Sequence, residues 1–274
     1  YTTDNYIISN VNIIDPIDGL KENVSIEIKG NRIIKIGDTE LSTSVNKVID
    51  GTGKYIIPGL WDCHVHLAFF EDLSKHMPEM VLSQGITSLG DTGGDFTFLD
   101  SIRQRSVKRK SIFPRIKIAG PLIDGNYSVY NGDPLPKISI RTRNVPETIR
   151  ETEKLVSGGV DFLKAYEMLS PKQFEAVAKI AKKNNLRLAG HVPLSMDIVS
   201  ATKLGLNSLE HLKNIELSST SDSDSLLAQR RKMLENPDIL PGVRLRGKIH
   251  RAQKMYAIKN IDSAAYKKVI ENIK

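Results

Sequence analysis

Residues 1–57 read as β from the extended, β-branched runs and turn signals along them. Tyr6-Ile-Ile-Ser-Asn-Val-Asn-Ile13 is β-branched and extended, and Asp18-Gly19 marks a turn. Val24-Ser-Ile-Glu-Ile-Lys29 alternates cleanly, and Gly30-Asn31 turns the chain into Arg32-Ile-Ile-Lys-Ile36. After Pro58-Gly59 the pattern changes to short buried runs separated by helix-period segments. Strands are predicted over 60–66, 86–91, 115–119, 160–165, 187–191 and 206–211. Helices are predicted over 71–84, 96–109, 146–157, 171–184 and 195–204, with Ser170 an N-cap ahead of Pro171. Such alternation argues for a parallel sheet, either doubly wound or a (β/α)8 barrel. No G-x-G-x-x-G follows the first of these strands, which weakens a nucleotide-binding reading. Residues 120–145, rich in Gly, Pro, Asn and Asp, read as a long loop at a strand end. Residues 216–260 read as a polar, charged helical insertion, and 263–273 as the last helix.

Composition narrows the class. Of 274 residues 40% are hydrophobic, which excludes a disordered or collagen-like chain. No run of eighteen apolar residues is present, so no membrane span is predicted. The single cysteine, Cys63, excludes an internal disulfide. The net charge of +7 arises partly from Arg230, Arg231, Lys232, Arg244, Arg246, Lys248, Arg251 and Lys254. Without an aromatic platform this basic set reads as a solvated helical face, and no nucleic-acid partner is expected. The chain starts at Tyr1 without a basic segment leading into an apolar one; a cytoplasmic location and export after signal cleavage both stay open. Homo-oligomerisation is also open.

The chemistry lies at the strand ends. His64 and His66 are two apart on a strand, so both imidazoles face one side and can reach one metal ion. Asp62 shares that parity and is placed to orient a ligand from behind. His191 and His211 each end a predicted strand, where parallel α/β folds gather functional groups. Lys164 ends another, but an ammonium cannot ligate a cation while it keeps its charge. Asp91 and Asp95 follow the second of these strands, and no spacing supports either as a base. His76 and His250 lie in helical segments and read as ordinary surface or packing histidines; Tyr127 and Tyr130 in the long loop read equally as solvent-facing or substrate-touching.

Pro58-Gly-Leu-Trp-Asp-Cys-His-Val-His-Leu67 resembles the opening motif of the amidohydrolase superfamily. Phe162-Leu-Lys-Ala-Tyr166, Gly190-His-Val-Pro193 and Ser208-Leu-Glu-His211 resemble its imidazolonepropionase-like and Xaa-Pro dipeptidase-like branch. The resemblance implies an α/β fold, a (β/α)8 TIM-type barrel over 58–274 with a small N-terminal β-sandwich-like domain over 1–57. It implies two divalent metal ions, zinc first among the candidates. His64 and His66 would bind one, His191 and His211 the other, with Lys164 bridging them as a carbamate formed with carbon dioxide. A hydroxide bridging the metals would attack a carbon–nitrogen bond in a cyclic amide or dipeptide-like amide of a small-molecule substrate. Tyr166, two residues after Lys164, reads equally as a hydrogen-bonding group for a substrate carboxylate or carbonyl and as a core-packing ring. The family's general-base aspartate, at the end of an eighth strand, has no counterpart here. With six strand candidates where a full barrel has eight over about 250 residues, the barrel is expected to be incomplete and the chain truncated at its C-terminus. Two alternatives follow: a catalytically incomplete metal-binding fragment, or a mononuclear deaminase-like relative.

Overall fold

A computed structural model describes residues 5–37, 47–108, 113–235 and 241–273. The chain divides into two compact units, Tyr1–Leu60 and Trp61–Lys274. The first holds β1 (Asn5–Asp15), β2 (Gly19–Lys29), β3 (Arg32–Gly37), β4 (Lys47–Asp50) and β5 (Tyr55–Ile56). They form one sheet in the order β3-β2-β1-β4, with β5 also on β1. β2 is antiparallel to β1 and β3, whereas β4 and β5 run parallel to β1. Val11, Ile13 and Ile26 form its small core. Among the described residues this is a single sheet, not the two packed layers of a sandwich.

The second unit carries β6 (Leu60–Val65), α1 (Glu71–Ser83), β7 (Ile86–Asp91), α2 (Phe96–Lys108), β8 (Arg115–Ile118), β9 (Leu122–Asp124) and β10 (Ser139–Arg141). It continues with α3 (Val145–Gly158), β11 (Leu163–Ala165), α4 (Pro171–Lys183), β12 (Leu188–Gly190), α5 (Ile198–Leu204) and β13 (Ser208–Leu209). Four helices, α6 (Ile215–Ser218), α7 (Ser223–Glu235), α8 (Gly242–Lys259) and α9 (Ser263–Ile273), complete it. The strands make two sheets, β6-β7-β8 and β10-β9-β11-β12-β13, the second parallel throughout. Strand–helix alternation around these sheets is a TIM-barrel-type α/β fold.

Asp161 joins the two sheets at the short break between β8 and β9. Its backbone N–H donates to Ile118, its carboxylate accepts from Ile118 N–H, and the same carboxylate pairs with Arg103 and Lys117. Burial alone would raise the Asp161 carboxyl, but the Lys117 hydrogen bond and the other donors outweigh it and hold it below the usual range.

Outward-facing side chains of the strands bury against the helices. Leu163, Ala165, Phe174, Val177, Leu188 and Ile198 share one core, and Val65, Leu89, Leu99, Ile116 and Ile118 another. The helix α4 begins with the capping box its sequence predicts: Ser170 Oγ accepts from Gln173 N–H, and Gln173 Oε1 accepts from Ser170 N–H.

Two expectations change. The 120–145 segment is not loop throughout, because Leu122 to Asp124 is fully buried and pairs with β11, and β10 pairs with it in turn. The Asp124 carboxylate then absorbs the N–H groups of Gly125, Val129 and Met168 that the turn would otherwise leave unmet. The 216–260 insertion is likewise not a solvated face. Leu245 and Ile249 of α8 pack beside Tyr166 and Met168, and Arg230 of α7 is buried, bonded to Asn214 and Gln253. Gly242 allows this seat, since a side chain there would collide with the Tyr127 carbonyl. No helix among the described residues is long and apolar enough to cross a membrane.

Candidate metal centre

The five residues picked out at the strand ends come together inside the second unit. The ring centroids of His64 and His66 are 5.1 Å apart, those of His64 and His211 4.5 Å, and those of His191 and His211 5.2 Å. Lys164 lies in β11, paired in register with Ala189 of β12 and two residues before Tyr166. Its side chain is 1% exposed and its Nζ makes no hydrogen bond. Glu210 Oε2, 3.7 Å away, is its counter-charge.

Three of the four imidazoles are held from behind. His66 Nδ1 donates to the Gly93 carbonyl at 3.0 Å, and His191 Nδ1 to Glu167 Oε1 at 2.6 Å. His64 Nδ1 donates to Glu210 Oε2. An acceptor at Nδ1 fixes the proton there and leaves Nε2 with a free lone pair, the tautomer in which imidazole binds a metal. Electrostatics favour the same neutral form. Burial lowers His66, pushes His191 down to about 4, and lowers His211, with nearby cations adding to the effect.

The ordering of these rings has local causes. Asp91, buried on β7, accepts from Leu67 N–H at 2.6 Å and Gly93 N–H at 3.0 Å, which fixes the chain on both sides of His66. Burial pushes its carboxyl up to about 7 against those two bonds, so it is engaged in structure and not poised in the open. Asp62 accepts from the backbone N–H of His64 at 3.1 Å and steadies the strand, not the ring it was expected to orient. His211 has φ +58° and Leu212 +49°, left-handed values that cost a non-glycine residue about 1–2 kcal/mol each. This turn swings His211 towards His64 and His191.

Two carboxylates escape the sequence reading. Burial would raise Glu210, but the hydrogen bond from His64 and the charge of Lys164 hold its carboxyl down to about 2. Glu167, 1% exposed, receives His191, Arg246 (Nε 2.8 Å, Nη2 3.1 Å), His250 (3.1 Å) and Lys213 (3.7 Å). Its burial is outweighed by the hydrogen bonds of His191, His250 and Arg246, which hold it well below the ordinary range. His250 is therefore no ordinary packing histidine, and Arg246 is no solvated cation. Their signal was the i, i+4 spacing that puts Arg246 and His250 on one face of α8. His76 is exposed on α1, as expected.

Tyr166 is buried with its ring centroid 4.4 Å from His191 and 5.7 Å from Tyr130. Tyr127 and Tyr130 pack partly buried around the same cluster. Among the described residues no three His, Cys, Asp or Glu side chains converge on a single ion position as placed. The Glu210 carboxylate lies against both His64 and Lys164. Three of the imidazoles have Nδ1 engaged and Nε2 free to ligate, and the buried Lys164 amine beside them has no hydrogen bond and would join a cation centre only once its charge is removed.

No family model matches the chain. Among curated proteins it resembles a dihydroorotase of Clostridioides difficile, 43% identical over 60 residues, 22% of this chain and 14% of that protein. It also resembles an adenine deaminase of Clostridium perfringens, 28% identical over 153 residues, 53% of this chain and 26% of that protein. The chain thus spans well under a third of the length of these relatives. Among solved structures, a Xaa-Pro dipeptidase with bound methionine in its active site superposes with a TM-score of 0.68 at 19% identity, covering 98% of this chain and 77% of that one.

Proposed function

We propose that the chain is a member of the amidohydrolase superfamily and that its histidine cluster is the metal centre of a hydrolase acting on carbon–nitrogen bonds. The substrate class is a cyclic amide or a dipeptide-like amide. The observation that carries this reading is the pairing of three Nδ1-anchored imidazoles with the buried Lys164 Nζ that no group hydrogen-bonds. His64 and His66 would hold one divalent ion, and His191 and His211 a second, with zinc the first candidate. Lys164 would join them as its carbamate. That conversion would replace an ill-placed buried cation with an anion between two cations.

Bound divalent ions would polarise the scissile carbonyl and acidify water. The chain's own residues do the rest. Gly93, Glu210 and Glu167 fix the imidazole protons away from the centre. Tyr166, with a ring beside His191 and a hydroxyl without a hydrogen bond among the described residues, would donate to a substrate carbonyl or carboxylate. Lowering of the Lys164 amine to about 8 by burial brings the neutral form, the one that reacts with carbon dioxide, within reach near neutral pH.

Zinc-loaded protein with bicarbonate is expected to cleave Xaa-Pro dipeptides or a cyclic amide, and to lose that activity on chelation. Hydrolysis insensitive to the chelator would count against the reading. A second reading has its own observation. Glu210 is held near 2, Glu167 is fully paired, and Asp91 serves two backbone donors, so no described carboxylate at the site stands ready to take a proton from water. On that reading the chain binds metal but turns over nothing. It predicts full metal loading with no hydrolysis of any amide in the screen.

A further inference from the structure

The helix α8 lies outside the strands that carry the histidines, yet two of its side chains end on Glu167. Arg246 places Nε 2.8 Å from Oε2 and Nη2 3.1 Å from Oε1, a fork that grips both carboxylate oxygens. His250, one turn on, reaches Oε2 at 3.1 Å. On the far side Oε1 takes the Nδ1 proton of His191 at 2.6 Å. The helix is seated by Leu245 and Ile249, each adjacent in sequence to one of the two polar residues and both buried. The contact is therefore held by packing, not by chance approach of long side chains.

We propose that Arg246 and His250 are positioning residues which act through Glu167 to fix His191 as its Nδ1–H tautomer, so that α8 sets the state of one ligand of the metal centre. The proposal rests on the reading of His191 as a ligand for its consequence, but not for its geometry. A carboxylate with two bound oxygens cannot rotate. With Arg246 gone, the fork that holds both oxygens is lost, Glu167 is free to turn towards its remaining partners, His250 and Lys213, and His191 loses the fixed acceptor that decides which nitrogen carries the proton. Outer partners of this kind typically change metal affinity about 10- to 100-fold.

The test reads the tautomer directly in the metal-free chain, by nitrogen-15 NMR of histidine-labelled protein, with the His191 signals assigned by His191→Asn. The wild type is expected to show His191 as a single Nδ1–H tautomer, and Arg246→Met a mixture with Nε2–H. Arg246→Lys, which keeps the charge but loses the fork, is expected to fall between. Ile249→Val, a mild packing change on the same helix, is expected to leave the tautomer unchanged. A His191 signal in folded Arg246→Met identical to wild type overturns the proposal, as does an equal shift in Ile249→Val. Zinc competition against a chromophoric chelator then separates the two ideas. Weakening of one of two sites by about 10- to 100-fold in Arg246→Met supports both. Absence of zinc binding by wild type, with the tautomer shift intact, removes the metal reading and leaves the positioning role standing.

Discussion

Lys164→Met is expected to stabilise the metal-free chain while strongly slowing hydrolysis by the loaded one. The amine is 1% exposed, its Nζ has no hydrogen bond, and its counter-charge stands 3.7 Å off. Burial lowers it from 10.5 to about 8, with Glu210 opposing the shift. Between those two values the unfolded chain binds a proton that the folded chain does not, so stability rises with pH through this window and the penalty is constant below it. The difference is worth at most about 3 kcal/mol at pH 7. Methionine fills similar volume without the charge, and Glu210 keeps its bond from His64. Denaturant titrations at pH 7 and pH 10 check this: the variant should gain at pH 7 and lose the upward slope. Loss of the group that joins the two proposed ions should slow catalysis by roughly 10²–10³-fold or more, several kcal/mol of charge stabilisation. A variant that is less stable at both pH values, or as active as wild type, would sink the assignment.

Glu167→Ala carries the opposite sign. Glu167 is buried to the same extent as Lys164, but it is surrounded by His191, Arg246, His250 and Lys213. Removing it leaves the Arg246 guanidinium without its partner and takes the acceptor from His191. Breaking a buried pair in this way costs about 3–5 kcal/mol. The pH dependence follows from the depressed carboxyl. Its contribution is present above the ordinary glutamate pKa of 4.5 and is lost as pH falls towards its lower folded value. The variant should therefore melt far earlier at pH 7 and show a flatter acid limb. Thermal melts from pH 3 to pH 7 read both features, and a variant within 1 kcal/mol of wild type, below the ~3 kcal/mol floor for such a pair, would show that the cluster is not coupled to folding.

The contrast between these two residues also marks what the sequence disclosed. That His64, His66, His191 and His211 lie close together was legible because strand parity and strand ends are local properties, whereas Lys164 stood out only through the family resemblance. Glu210 was not. Period-two alternation puts neighbours on opposite faces, and only the left-handed turn at His211 lets Glu210 and His211 both reach His64. Glu167 follows the end of β11, where no periodicity assigns a direction. Arg246 and His250 were hidden by composition. A segment rich in Arg and Lys reads as exposed, yet Leu245 and Ile249 turn that face of α8 inward and carry the charges with them. The strands of 120–145 were masked by glycine and proline, because a two-residue buried overlap such as Leu122-Ile123 needs tertiary pairing to declare itself.

The most direct test of the metal centre is the zinc content of the folded, monodisperse chain by elemental mass spectrometry, after equilibration with zinc and bicarbonate and removal of loosely held ion. About two zinc ions per chain, falling to one or fewer in Lys164→Met, is the predicted result. Essentially no zinc in a chain that is demonstrably folded would contradict it.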